Sequence, residues 1–373
     1  MKIGIESQRL LRKTKHGMDL VALELMRQIQ LLDSKNCYLL FARDGEDRNC
    51  IRETENFKTI ILKGVTYGGW EQFSLPAALK KHQPDIVHCT ANTAPYYTRV
   101  PMVVTVHDVI YLEETNFEGS AYQNFGNLYR KLIVPHAIKN AKKIITVSEY
   151  EKTVIADVCK TDPDKIVVIH NGVSERFHQN FPAGETQKFR ERLKLPEKFI
   201  LFLGNTAPKK NTAGMLTAYV HYCSMMNEPL PLVITDFPRS SVISFLEKMN
   251  RPEVISRIFT PGYVPSGEMP LMYNSSSLFI YPSLRESFGL PVLEAMSCAI
   301  PVITSDIASI REVAGGAAIF INPDNQESIA EAIFSLIQDD QKKNLLKQKG
   351  LIRASQFQWK NSAEKLIKLY ETL

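Results

Sequence analysis

Short apolar runs recur along the chain, and stretches of helical period separate them. The runs that read as strands are Lys2–Glu6, Cys37–Ala42, Asp85–Cys89, Met102–His107, Lys143–Ser148, Lys165–His170, Phe199–Gly204, Leu232–Thr235, Leu278–Pro282 and Pro301–Thr304. Several of them (VVTV, IITV, FILFLG, LFIY) are apolar at successive positions and therefore on both faces. That is the pattern of parallel strands covered by helices on either side. Strand–helix alternation on this scale predicts an α/β fold with parallel sheets.

The pattern lapses once. Asn171-Gly172 ends a strand, the following SERFHQNFPAGETQ is polar without a period, and a new strand begins at Phe199. The expected domains are therefore 1–175 and 196–355. The closing stretch 357–373, FQWKNSAEKLIKLYETL, repeats Trp359, Leu366, Ile367 and Tyr370 at helical spacing, which predicts an amphipathic helix with a side to bury.

Composition narrows the class. A chain of 373 residues, 44% hydrophobic, has room for two cores of medium size. The net charge of +5 is spread over both halves and lacks the basic stripe with interleaved aromatics of a nucleic-acid binder. The six cysteines are scattered with no CxxC pair, which argues against a zinc site or a disulfide framework and for free thiols in a reducing compartment. The N-terminal MKIGIESQ reads as a strand rather than a signal peptide, and no apolar run approaches the roughly 20 residues that span a bilayer. The expected location is cytoplasmic.

Candidate chemistry concentrates in YPSLRESFGLPVLE, residues 281–294. Gly289 and Pro291 stand where a turn becomes a helix, since proline is favoured in a first helical turn. The first amides there, around Phe288 to Leu290, form an anion site at the positive end of the helix dipole. Glu286 lies just before the helix and Glu294 about one turn inside it. A carboxylate accepts hydrogen bonds in pairs and so suits vicinal sugar hydroxyls. One glutamate can hold a hexose and the other a ribose, with a diphosphate on the amides between them. Taken alone, Glu294 is equally a glutamate favoured by the dipole.

Three further pieces sit at strand ends. Gly204-Asn205-Thr206-Ala207-Pro208-Lys209-Lys210-Asn211 links a strand to a helix, and lysines there can reach a diphosphate and stabilise a departing phosphate; a solvated lysine pair is the plainer reading. His107 ends a buried strand, where it can donate a hydrogen bond or move a proton, or simply be satisfied by Asp108. The loop from Glu6 to Asp19 carries Arg9, Arg12, Lys13, Lys15 and His16 before Gly17, and a glycine ahead of a helix lets backbone approach phosphate.

The run RESFGLPVLEAMSCAIPVITSDIASIREVAG resembles the signature of the group 1 glycosyltransferases, glycosyltransferase family 4, in which two glutamates are separated by seven residues. The resemblance implies a GT-B fold, two Rossmann-like domains facing across a cleft, with 1–175 holding the acceptor, 196–355 holding the nucleotide-sugar donor and the final helix, 357–373, returning to the N-terminal domain. It implies that Glu286 binds donor-hexose hydroxyls and Glu294 the ribose. The backbone from Ser287 through Phe288, Gly289 and Leu290 would hold the diphosphate, and Gly17 would face it. Lys210 matches the family's lysine, whereas Asn205 stands where many members have arginine, so that Lys209 or Arg285 is left to supply a second cation. His107 matches the histidine near the anomeric centre, oriented by Asp108. Pro261-Gly262-Tyr263-Val264 resembles the segment beside the nucleobase. Gly17 lies in His-Gly-Met rather than the family's usual paired glycines.

The implied reaction is retaining hexosyl transfer from GDP-mannose or a UDP-sugar to a glycan or lipid-linked hydroxyl. No Asp-x-Asp run follows a strand, and no metal or other cofactor is expected. A sugar-nucleotide epimerase of the same fold and a non-catalytic nucleotide-sugar-binding scaffold are the alternatives. Finally, Gly119 to Ser148 lacks acidic residues and carries Arg130, Lys131, Lys139, Lys142 and Lys143 among Tyr129, Leu132, Ile133 and Val134. It fits either an anionic lipid surface, which would seat the protein peripherally on the inner face of a membrane, or an ordinary solvated helix face.

Overall fold

The computed structural model describes residues 1–15, 17–113, 121–182 and 184–373. His16, Gly119, Ser120 and Ala183, which entered the sequence reading, lie outside the described residues. The chain divides into two units, 1–172 with 359–373, and 173–358. In the first, β1 (Lys2–Glu6), β2 (Cys37–Ala42), β3 (Phe57–Ile61), β4 (Ile86–Cys89), β5 (Met102–Thr105), β6 (Lys143–Thr146) and β7 (Ile166–Val168) form one sheet in the order β3-β2-β1-β4-β5-β6-β7. In the second, β8 (Ile200–Leu203), β9 (Leu232–Thr235), β10 (Ile258–Gly262), β11 (Leu278–Tyr281), β12 (Val302–Ser305) and β13 (Ile319–Ile321) take the order β10-β9-β8-β11-β12-β13. Every pairing is parallel. Both units are Rossmann-like, and the fold is GT-B.

All ten expected strands form. The three that the pattern did not announce, β3, β10 and β13, are each at a sheet edge. An edge strand buries fewer positions: only Phe57 of β3, Ile258 of β10 and Ile321 of β13 are fully covered. Their sequences therefore lack the continuous apolar signal of central strands. β10 even contains Pro261, next to a register shift, as an edge permits.

The boundary also differs from the sequence expectation. Residues 173–175, read as the end of the first domain, and 176–195, read as a connector, are part of the second unit. Phe177 is buried there with its ring 6.0 Å from that of Tyr273, and Asn274 donates to the His178 carbonyl at 2.8 Å. Two aromatic residues among many polar ones gave no period to read, yet one of them anchors the stretch.

Five helices place the functional residues: α1 (Gly17–Leu32), α2 (Ala121–Asn140), α3 (Thr212–Met225), α4 (Leu290–Ser297) and α5 (Trp359–Glu371). The amphipathic face expected of the last segment is buried in the first unit, where Ala363, Leu366, Leu369 and Tyr370 of α5 share one core with Leu23, Met26 and Ile29 of α1 and with Ile3 and Ile5 of β1. The chain returns to that unit beside Gly172, where a Cβ would lie 2.3 Å from the backbone nitrogen of Trp359. All six cysteines are free. No described helix is long and apolar enough to cross a membrane.

Candidate functional site

In the second unit β9 and β10 extend the sheet to one side of β8, and β11, β12 and β13 extend it to the other. Between β8 and β11 the winding reverses, and an open parallel sheet has its ligand crevice at the carboxyl ends of such a pair. Lys210 follows β8, and Glu286 follows β11. Lys210 Nζ lies 2.6 Å from Glu286 Oε1. It also donates to the Tyr281 hydroxyl at 2.5 Å, and that hydroxyl donates to the same Oε1 at 2.7 Å. Among the described residues none donates to Glu286 Oε2. Burial pushes the Glu286 carboxyl up, but the charges of Lys210 and Lys209 and the bonds from Lys210 and Tyr281 prevail and hold it below the usual range.

The main chain of Glu286 is fixed as well. Its carbonyl accepts from Ser309 Oγ at 2.6 Å and from Arg285 Nη1 at 2.8 Å. Arg285, considered as a second cation, thus has its guanidinium engaged with backbone. Gly289 then enters α4 with φ +92°, a left-handed conformation, and a Cβ there would lie 2.3 Å from Ile310 Cδ1. Pro291 occupies the first turn. The first amides of α4 thus meet the crevice at the positive end of the helix.

Glu294 lies one turn into α4, where its Oε2 accepts from the Tyr273 phenol at 3.0 Å. Burial raises its carboxyl to about 7, against the Tyr273 bond and the charge of Arg176. The two glutamates are thus driven apart in acidity by their surroundings. Arg176 itself stacks over the Phe177 ring at 5.0 Å, with Nε buried and unpartnered.

Lys209 adds charge near Glu286 and accepts the Leu284 amide on its own carbonyl at 2.8 Å. Asn205 closes its own turn: Oδ1 accepts the Ala207 amide and its carbonyl accepts Thr212 Oγ1, both at 2.8 Å. An arginine could not make the first of these bonds. Val264 is buried just after β10, at the edge of the sheet rather than at its centre. Tyr281, Tyr273, Ser309 and Arg176 were missed in the sequence. A tyrosine ending the apolar strand LFIY was the available signal for the first.

The first unit has its reversal between β1 and β4. His107 follows β5, is 6% exposed, and binds the Thr90 carbonyl through Nε2 at 3.0 Å. A carbonyl only accepts, so Nε2 carries the proton. Burial keeps the ring's pKa below its ordinary value against that bond, so Nδ1 is an acceptor. The ring's orientation comes from Thr90 rather than from Asp108, which contributes only its charge; the Asn92 side chain fixes the His107 amide at 2.7 Å.

Three of the loop cations ahead of Gly17 are matched by acids. Arg9 Nε meets Asp19 at 2.9 Å, Lys15 meets Asp47 at 2.5 Å, and Lys13 meets Glu46 at 3.7 Å. Gly17 opens α1, and a Cβ added there would touch nothing within 4 Å. Among the described residues no three of His, Cys, Asp and Glu gather as metal ligands.

The basic stretch does not form one face. Arg130 lies over the Tyr111 ring at 5.4 Å and donates to Asn127, while Lys142 and Lys143, at the start of β6, donate to the carbonyls of Leu373 and Asp164. Period 3.6 separates side chains that adjacent letters seem to join. The exposed stripe of α2 is instead Leu128, Leu132, Pro135 and Lys139. Tyr96, stacked 3.6 Å from His136 of α2, is exposed, as are Phe73 and Tyr97.

A family model described as glycosyl transferases group 1 matches residues 184–353, and one described as Glycosyltransferase Family 4 matches residues 16–177. The O-antigen chain mannosyltransferase B of Escherichia coli is 30% identical over 246 residues, 66% of this chain and 64% of that protein. The serotype-specific mannosyltransferase WbdA of Escherichia coli is 27% identical over 292 residues, 77% of this chain and 35% of that protein. The chain thus spans less than two thirds of the length of either relative. Anabaena HepE, solved in complex with UDP and glucose, has the same fold, with a TM-score of 0.77 at 18% identity and full coverage of both chains.

Proposed function

We propose that this chain, which belongs to the group 1 glycosyltransferases (glycosyltransferase family 4), moves a hexose from a nucleotide diphosphate sugar to a hydroxyl of a glycan or lipid-linked acceptor, with the anomeric configuration retained. The observation that carries the reading is the Lys210–Tyr281–Glu286 triangle at the reversal of the second sheet, beside the start of α4. Without substrate, lysine and glutamate satisfy one another. With a donor in the crevice, the diphosphate shares Lys210 and the α4 amides, and Glu286 Oε2 accepts a hexose hydroxyl. Glu294 accepts ribose hydroxyls while Tyr273 orients it.

In the step itself the bond between the anomeric carbon and the phosphate oxygen breaks, and its electron pair leaves with the phosphate. Lys210 and the helix dipole stabilise that growing charge without calling on a divalent ion. The acceptor oxygen attacks from the face that the phosphate leaves, and its proton passes to the leaving phosphate. No residue serves as a covalent nucleophile. By the family resemblance Gly17 approaches the diphosphate and His107 the donor sugar, which His107 meets as an acceptor through Nδ1.

The mannosyltransferase names of the relatives support GDP-mannose, and the HepE complex keeps UDP-sugars in the comparison. A thermal-shift panel of GDP- and UDP-sugars decides between them, since a ligand at 100 times its Kd adds about 2.7 kcal/mol. If no nucleotide sugar stabilises the chain, the reading falls. NMR of the product tests retention, and an epimer formed from UDP-GlcNAc alone would replace transfer by epimerisation. We also place the enzyme on the cytoplasmic face of a membrane, seated through Leu128, Leu132, Phe73 and the aromatic pair Tyr96 and Tyr97.

A further inference from the structure

Asn211 stands at the N-cap of α3 and does not cap it. A capping asparagine keeps an extended backbone and accepts an amide of the first turn on its side-chain oxygen. Asn211 instead has φ +56°, in the left-handed region, and makes no side-chain cap bond. Its carboxamide is engaged elsewhere: Nδ2 donates to the Pro282 carbonyl at 3.1 Å and to the Pro323 carbonyl at 2.7 Å. Pro282 directly follows β11, and Pro323 lies just beyond β13. A carboxamide has two N–H groups, and each meets one of these carbonyls. The helix makes room for the arrangement. Gly214 lies in the first turn of α3, where a Cβ would stand 2.2 Å from Asn211 Oδ1. A glycine inside a helix is costly unless something requires it, and here the carboxamide of Asn211 does.

Lys210 is the residue before this clasp. Its amide donates to the Ala207 carbonyl and that of Asn211 to the Pro208 carbonyl, both at 2.9 Å, so the turn Pro208–Lys210 is wound up to the point where the clasp holds it. On the other side of Lys210 the Lys209 carbonyl accepts the Leu284 amide at 2.8 Å. The loop after β8 is therefore tied to the loop after β11 both before and after Lys210. Glu286 is carried on that second loop, and its Oε1 meets Lys210 Nζ at 2.6 Å. A lysine side chain is a flexible four-carbon stem and takes its place from its backbone. An asparagine held in a sparsely populated conformation marks a position that the surrounding structure has fixed for a purpose.

We infer that Asn211 is the positioning residue of the Lys210–Glu286 pair: by joining the ends of β8, β11 and β13 through one carboxamide, it sets the lysine against the glutamate. Its effect on catalysis rests on the transferase reading, in which Lys210 meets the departing phosphate; its effect on the pair does not.

The test uses the full chain with Asn211→Gly, Gly214→Ala and the two combined. Glycine keeps the left-handed backbone and removes the carboxamide. Gly214→Ala leaves the carboxamide and crowds it. The first readout is the Glu286 carboxyl, followed by NMR and identified by its absence from Glu286→Gln. Burial raises this carboxyl and Lys210 leads the groups that lower it, so with Lys210 displaced it titrates at higher pH in both single variants. In the double variant the added methyl has room, and the titration matches that of Asn211→Gly alone. The second readout is transfer: in Asn211→Gly kcat falls about 10–100-fold, the scale of a displacement of about 1 Å, and KM for the nucleotide sugar changes less. The inference is overturned if the carboxyl titrates in folded Asn211→Gly as in the unsubstituted chain, if an active chain keeps its kcat in that variant, or if Gly214→Ala does the same damage with and without the carboxamide. Should Asn211→Gly fail to fold, Gly214→Ala decides by the same titration. A shifted titration in the variants, with no transfer from any GDP- or UDP-sugar by the unsubstituted chain, would leave the clasp standing and remove the transferase reading.

Discussion

The phenol of Tyr273 donates to Glu294 Oε2 at 3.0 Å, in surroundings that hold this carboxyl up at about 7. Unfolded, the group ionises near 4.5, so between that value and about 7 the folded chain binds more protons than the unfolded one. Stability contributed by this group is present at low pH and is lost as pH rises through that window. Glu71, also raised to about 7 by burial, acts in the same direction, whereas the depressed Glu286 acts in the opposite one at lower pH. Glu294→Gln keeps an acceptor for Tyr273 and removes one titration. Melting temperature measured across the window should fall less steeply with rising pH in the variant; an unchanged slope refutes the assignment.

Lys210→Ala leaves Glu286 buried beside Tyr281 without its cation. A buried pair broken on one side costs about 3–5 kcal/mol, and loss of transition-state charge stabilisation should cut kcat by about 10²–10³. The double variant Lys210→Met with Glu286→Leu removes both charges and should recover much of the lost stability with no recovery of activity. Equal damage from single and double variants in denaturant melts would show that the pair is not coupled.

Two glycines separate fold from ligand. Gly289 has φ +92° and Ile310 in the place of a Cβ, so Gly289→Ala should cost about 1–2 kcal/mol and weaken nucleotide binding. Gly17 has open space around it, so Gly17→Ala should leave the melting temperature unchanged while lowering activity. An unimpaired Gly17→Ala enzyme would remove this residue from the phosphate site.

The exposed stripe of Leu128, Leu132 and Lys139, with Phe73, predicts that the protein floats with liposomes rich in anionic lipid at low salt. Leu132→Glu should abolish flotation and leave the melting temperature alone. Absence of co-flotation by the unsubstituted chain at low salt rules out the seat.

The central strands and the two glutamates were legible because each writes a local signature: apolar runs for strands covered on both faces, and Gly-Leu-Pro after Glu286 for a helix start. What stayed hidden depends on sequence-distant neighbours. Tyr281 and Tyr273 read as core residues until the fold sets their hydroxyls on carboxylates. Arg176 lies in a stretch without period, and Phe177 beside it carries the packing. The cations of residues 130–143 are adjacent as letters, but helix and strand direct them to Tyr111, Leu373 and Asp164.

The packing of α5 against α1 and β1 imposes an order on synthesis. A ribosome makes nearly all of the first unit before the second, yet Leu366, Leu369 and Tyr370, which share its core, emerge only after the whole of the second unit. The buried His88, whose Nδ1 meets the Tyr370 hydroxyl at 2.6 Å, waits for that partner until the second unit has been made. The second unit is one uninterrupted stretch and can close first, so the domain begun first is the one completed last, and a nascent chain stalled before residue 359 would present an open apolar seam to chaperones.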